Sequence, residues 1–169
     1  CSCHEGLAIW ALDVLDTERA ARHIDDLESA ATDLGQALLL ADVPFLRARV
    51  AAIVGDDARS IALTRESETQ QRRIGARISL GKCLILRAAG LMRAGDPAAA
   101  AASLREAAEI EASLGFDGEA RGCRLLLADA LRCDGRLDEA KSLVEAELPF
   151  LEEIGSLDTA WMPLAARMA

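Results

Sequence analysis

The residues best suited to chemistry are the Cys-Ser-Cys-His run that opens the sequence. Cys1, Cys3 and His4 are soft metal ligands, but a structural zinc site needs four ligands at a workable spacing. The other histidine, His23, falls on a different predicted helix. Cys3 also shares a repeated position with Val43, and a position that accepts valine is a packing position. We therefore predict neither a metal nor a cofactor from the sequence.

A second candidate is the segment from Gly75 to Cys83, which has part of a phosphate-binding loop. Five residues rather than four separate Gly75 from Gly81, and Cys83 replaces the Ser or Thr that binds magnesium. No strand is predicted before it. The sequence contains no Ser-His-Asp order and no paired histidines on one helix, so we expect a protein that is not an enzyme.

Composition excludes further classes of function. The net charge of −9 disfavours nucleic-acid binding, which needs clustered Lys and Arg to contact phosphates. The longest apolar stretch, 37–54, is interrupted by charged residues and Pro44, so it is not predicted to span a membrane. Five cysteines, an odd number, indicate reduced thiols and a cytoplasmic location rather than a disulfide framework.

The elements that position these residues form a repeat of 40 residues, which aligns four times without gaps. Each repeated segment ends on an aliphatic residue followed by glycine, which is a signal for a helix C-terminus. These glycines are Gly35, Gly75, Gly115 and Gly155. Asp16, Asp56 and Asp96 precede helical stretches and are expected to cap them.

Two kinds of helix therefore alternate, and short turns make neighbouring helices antiparallel. First-type helices are predicted over about 1–14, 37–54, 77–94, 117–133 and 157–169. Second-type helices are predicted over about 16–34, 56–74, 96–114 and 136–154. We expect one all-α domain over 1–169, a superhelical solenoid of hairpins 1–35, 36–75, 76–115 and 116–155 with a final helix 156–169. We also expect it to be part of a longer protein.

Small residues mark both helices of every hairpin. One repeated position holds Ala8, Ala48, Ala88 and Ala128, and another, twelve residues later, holds Ala20, Ser60, Ala100 and Ala140. With the Gly-Asp turns at 55–56 and 95–96, this pattern resembles the tetratricopeptide repeat family. The sequence departs from that family in its period, which is 40 residues rather than 34, and in its mostly aliphatic rather than aromatic large positions.

The resemblance implies a protein-interaction scaffold that binds a peptide or protein on a concave face lined by the first-type helices. Transferred position by position, that face comprises Asp42, Phe45, Arg49, Lys82, Ile85, Ala89, Met92, Arg93, Leu125, Asp129 and Arg132. Arg49, Lys82 and the other cations are suited to acidic groups.

An alternative interpretation of the function remains beside the scaffold. Long repeats rich in Ala, Arg and Leu are similar to the helical regions of large bacterial ATP-dependent transcription regulators of the LuxR type, which implies a sensor or oligomerisation arm. Exposed solenoid ends would allow homo-oligomers.

The polar run 64–73 is interpreted as a solvated helix face, in preference to a contact surface.

Overall fold

The computed structural model describes residues 2–153, with side chains to Phe150, and they form α-helices without any strand. The eight helices are α1 (Ser2–Asp13), α2 (Thr17–Asp33), α3 (Ala37–Ile53), α4 (Asp57–Ile74), α5 (Arg77–Arg93), α6 (Pro97–Ser113), α7 (Asp117–Cys133) and α8 (Leu137–Glu153). The predicted bounds of these eight agree with the structure to within about two residues. The predicted final helix, 156–169, lies outside the described residues.

Each helix packs on the next one in sequence, as expected for a solenoid of antiparallel hairpins. In addition, α1 contacts α3 and α3 contacts α5, which brings the first-type helices of the first three hairpins side by side. The described residues thus confirm the predicted all-α, solenoid-like architecture.

Left-handed turns end the helices at regular intervals of 20 residues. Residues 15, 35, 55, 75, 95, 115 and 135 all have positive φ. The residue after each one donates its N–H to a carbonyl five positions back, as Asp56 does to Ala51 at 2.9 Å. This bond satisfies a carbonyl that the helix end would otherwise leave free. Side chains of Asp16, Asp56 and Asp96 accept N–H groups at the next helix start, as predicted.

Leu15 is the exception, because it alone among the described residues has positive φ without being glycine. Its φ of 59° brings its Cβ close to the backbone, which strains this conformation. The residue is 67% exposed, so packing of its side chain offsets little of that strain. We expect Leu15→Gly to raise the free energy of unfolding by about 1 kcal/mol, measured by urea denaturation.

The matched control is Leu34→Gly, which removes a leucine that is 64% exposed but has a φ of −94°. That change adds backbone entropy to the unfolded state without relieving strain, so it should destabilise the protein. Equal destabilisation by the two substitutions would contradict our explanation of Leu15.

A polar stripe on α4 interrupts the apolar core. Ser60, Thr64, Ser67 and Gln71 are fully buried, at positions where other second-type helices carry mostly Ala, Ile or Leu. The interpretation of 64–73 as a solvated face is therefore wrong for its buried members. The repeat fixes which positions face the neighbouring helices, whatever side chain occupies them.

Hydrogen bonds offset the cost of burying Ser67 and Thr64, whereas the Ser60 hydroxyl has no partner among the described residues. The Ser67 hydroxyl donates to the carbonyl of Ala41 at 2.8 Å and accepts from the Cys83 thiol at 3.2 Å. Thr64 donates back to the carbonyl of Ser60, four residues earlier on its own helix. Buried polar groups with such partners avoid most of the cost of leaving water.

Ion pairs recur at one position of the interface between successive hairpins. Arg47 on α3 contacts Glu28 on α2 at 2.7 Å, and Arg87 on α5 contacts Glu68 on α4 at 2.7 Å. At the same position between α6 and α7 the residues are Leu127 and Ala108, both buried. The repeat thus accepts either an ion pair or two buried apolar side chains at these positions.

This equivalence predicts the energetics of the Arg87–Glu68 pair. Glu68 is 6% exposed, and Arg87→Leu would leave the Glu68 carboxylate buried without a partner. This change should therefore destabilise the protein by about 2 to 3 kcal/mol. Adding Glu68→Ala should restore native stability or exceed it, because the pair then matches Leu127 and Ala108. Urea denaturation of the single and double variants measures both effects.

The pH dependence gives an independent check. Burial raises the pKa of Glu68, and the charge of Arg87 opposes that rise. Removing Arg87 raises the pKa further above its unfolded value, so protonation favours the folded variant. The loss of unfolding free energy caused by Arg87→Leu should therefore become smaller as pH falls from about 8 to about 5. A loss of stability that does not change with pH would mean that lost packing, and not the unpaired Glu68 carboxylate, destabilises the variant.

Candidate functional site

A groove lies where α1, α3 and α5 run side by side. Its volume is about 260 Å³, and its lining comprises Glu5, Ile9, Asp42, Phe45, Leu46, Arg49, Ser79 and Lys82. Apolar side chains and both signs of charge therefore face one depression on the first-type helices.

Four of the eleven predicted site residues meet in this groove: Asp42, Phe45, Arg49 and Lys82. The other seven lie outside its lining. Ile85 and Met92 are half-buried and pack against core clusters. Ala89, Leu125 and Asp129 are also half-buried, whereas Arg93 and Arg132 are exposed. The structure thus brings together the predicted residues of α3 and the start of α5, but not those further along the solenoid.

Acidic groups of the protein itself hold three of the four predicted cations. Arg49 contacts Asp13 on α1 at 2.9 Å, and Arg93 contacts Asp57 on α4 at 2.7 Å. Arg132 contacts a carboxylate one turn earlier on its own helix. Lys82 is exposed and forms no ion pair with any residue in 2–150. Among the four, Lys82 is therefore the cation best placed to meet an external acidic group.

Asp42 is fixed in the groove by the polar stripe of α4. Its carboxylate accepts a hydrogen bond of 2.6 Å from the side-chain amide of Gln71. Burial raises the pKa of Asp42, while hydrogen bonds from Ser79 and Gln71 and the charge of Lys82 oppose the rise. Because Gln71 is itself fully buried, Asp42 is a rigid acceptor rather than a mobile surface carboxylate.

Sequence reasoning missed half of the groove lining. Glu5 and Ile9 lie one repeat before Phe45 and Arg49, so extending the same repeated positions back to α1 would have found them. Ser79 lies about one turn before Lys82 on α5. No repeat position marks Ser79 as polar, because Leu39 occupies the equivalent place.

The cysteines are partly as predicted. Cys83 and Cys123 are buried at 0% and 2% exposure, which confirms packing roles, and Val43 at the same repeated position is also buried. Cys3 is exposed, so its assignment to a packing position is wrong. In interior hairpins the preceding second-type helix covers this position, and no helix of the described chain precedes α1.

Thiol reactivity should follow this division. Burial raises the pKa of Cys83 and of Cys123 to about 11, so neither supplies much thiolate near neutral pH. Cys3 and Cys133 are exposed. We expect iodoacetamide to label Cys3 and Cys133 in the native protein and Cys83 and Cys123 only in denaturant, as read by peptide mass spectrometry. Fast native labelling of Cys83 would contradict the packing described above.

Within residues 2–153, every helix is too short or too polar to cross a membrane. Comparison with known proteins finds no significant match to a family model, a curated protein or a solved structure.

Proposed function

We propose that this chain is a noncatalytic binding module that holds a segment of another protein in the groove between α1, α3 and α5. The observation that supports this proposal is the convergence of Phe45, Lys82 and Asp42 in one depression. They offer an apolar contact, an available cation and a fixed acceptor. Such a mixture suits recognition of a peptide, in which side chains and backbone groups alternate.

The size of the groove favours a peptide over an enclosed small molecule. Pockets for small ligands usually measure about 300 to 1,000 Å³ and surround most of the ligand. At about 260 Å³, this groove is large enough for one or two side chains of a longer segment. The best ligand would place an apolar side chain against Phe45 and Ile9, and an acidic side chain against Lys82.

Selection from a random peptide library tests the proposal, with affinities of the selected peptides measured by fluorescence anisotropy. We expect enrichment of peptides that combine acidic and apolar residues. Lys82→Glu should weaken their binding at least about tenfold, because it replaces an attractive charge with a repulsive one. The exposed side chain of Lys82 makes this change compatible with folding.

Lys141→Glu is a matched control, since Lys141 is the other lysine of the chain and lies exposed on α8. It makes the same change in net charge away from the groove, so peptide affinity should change little. Equal losses in both variants would indicate attraction by overall charge. Unchanged binding in Lys82→Glu and in Ile9→Ser would refute binding in the groove.

A further inference from the structure

The two histidines of the chain meet across the first hairpin, beside a carboxylate. The rings of His4 on α1 and His23 on α2 lie 5.9 Å apart between centroids. His4 Nδ1 lies 3.6 Å from a carboxylate oxygen of Asp26. One ligand atom from each of the three residues lies within 4.8 Å of the other two.

The antiparallel hairpin explains this meeting. His4 precedes Leu15 by eleven residues and Asp26 follows it by eleven, so the two residues lie at the same height above the turn. At the same repeated positions the fourth hairpin has Arg124, Leu143 and Ala146, so the two imidazoles and the carboxylate are particular to the first hairpin.

Unsatisfied nitrogen atoms point to a missing partner. The Nδ1 atoms of His4 and His23 are buried from solvent and have no hydrogen-bond partner among the described residues. The 3.6 Å separation from Asp26 is too long for a hydrogen bond. Buried polar atoms nearly always have a hydrogen-bond partner, so two buried nitrogen atoms without one call for an explanation. A bound cation would supply one for both nitrogens.

We propose that His4, His23 and Asp26 bind a divalent transition-metal ion of the zinc class. Two imidazole nitrogens and one carboxylate oxygen suit zinc, nickel or copper better than calcium or magnesium, which prefer oxygen alone. Three protein ligands leave a fourth position for water. No metal was predicted at His4 from the sequence, because His23 falls on a different predicted helix. In the structure α2 brings His23 and Asp26 next to His4.

The required rearrangement is small. Ligand atoms around a tetrahedral zinc ion lie about 3.3 Å apart, given bonds of about 2.0 to 2.1 Å. The present spacing of up to 4.8 Å must therefore contract, and the Asp26 side chain, 60% exposed, is free to rotate inward. The bound ion would link α1 to α2. It would stabilise the folded state, because the unfolded chain does not hold these ligands together.

Calorimetric titration with zinc chloride tests the site, together with the melting temperature with and without zinc. We expect one ion per chain and a higher melting temperature in zinc. His23→Gln should weaken zinc binding at least about tenfold and abolish the thermal shift. Asp26→Asn should weaken binding as well, whereas Asp33→Asn, a change of the same kind near the end of α2, should leave it unchanged.

Cys3→Ser separates this site from zinc binding by exposed thiols. Binding that survives Cys3→Ser and is lost in His23→Gln supports the proposal; the opposite pattern overturns it. Nuclear magnetic resonance of the native protein gives a reading that does not depend on folding of any variant. The chain has two histidines, so zinc should shift both sets of imidazole signals together. Unshifted imidazole signals in saturating zinc would also overturn the proposal.

Discussion

Each of the first seven helices ends at a left-handed residue, and these residues recur every 20 positions. A helix cannot continue through that conformation, so the turns limit helix length to about 17 residues and send the chain back on itself. Helices of equal length joined by equal turns stack in register. In the interior hairpins, residues 40 positions apart then occupy similar environments, and the contacts between successive hairpins depend on that similarity.

Equivalent environment does not require equivalent chemistry. One buried position is filled by Ala20, Ser60, Ala100 and Ala140. The positions of the Arg87–Glu68 ion pair are occupied by buried apolar residues one repeat later. Position largely determines whether a side chain is buried, and local hydrogen bonds, where they form, lower the cost of burying a polar one. The α4 helix concentrates such polar side chains, and one of them, Gln71, holds Asp42 at the groove.

The groove and the histidine cluster share α1. His4 contributes to the proposed metal site and the adjacent Glu5 lines the groove, together with Ile9 one turn later. Several large apolar side chains of α1, including Leu7 and Trp10, are exposed, so this helix buries less than interior helices do. An ion that joined α1 to α2 would therefore hold α1 more firmly in place, and α1 forms one side of the proposed peptide-binding groove.

The sequence alone predicted the helices of residues 2–153, because helix ends depend on local signals: glycine at most of the left-handed positions, and aspartate at the N-caps of α2, α4 and α6. The repeat also determined many of the buried positions, with exceptions on α1 such as Cys3, Leu7 and Trp10, which no earlier helix of the described residues covers. Tertiary structure decided which residues of different helices meet. Lys82 and Arg49 share a chemical type, yet only the fold gives one of them an acidic partner. His4 and His23 meet because hairpin packing sets distances that residue types do not encode.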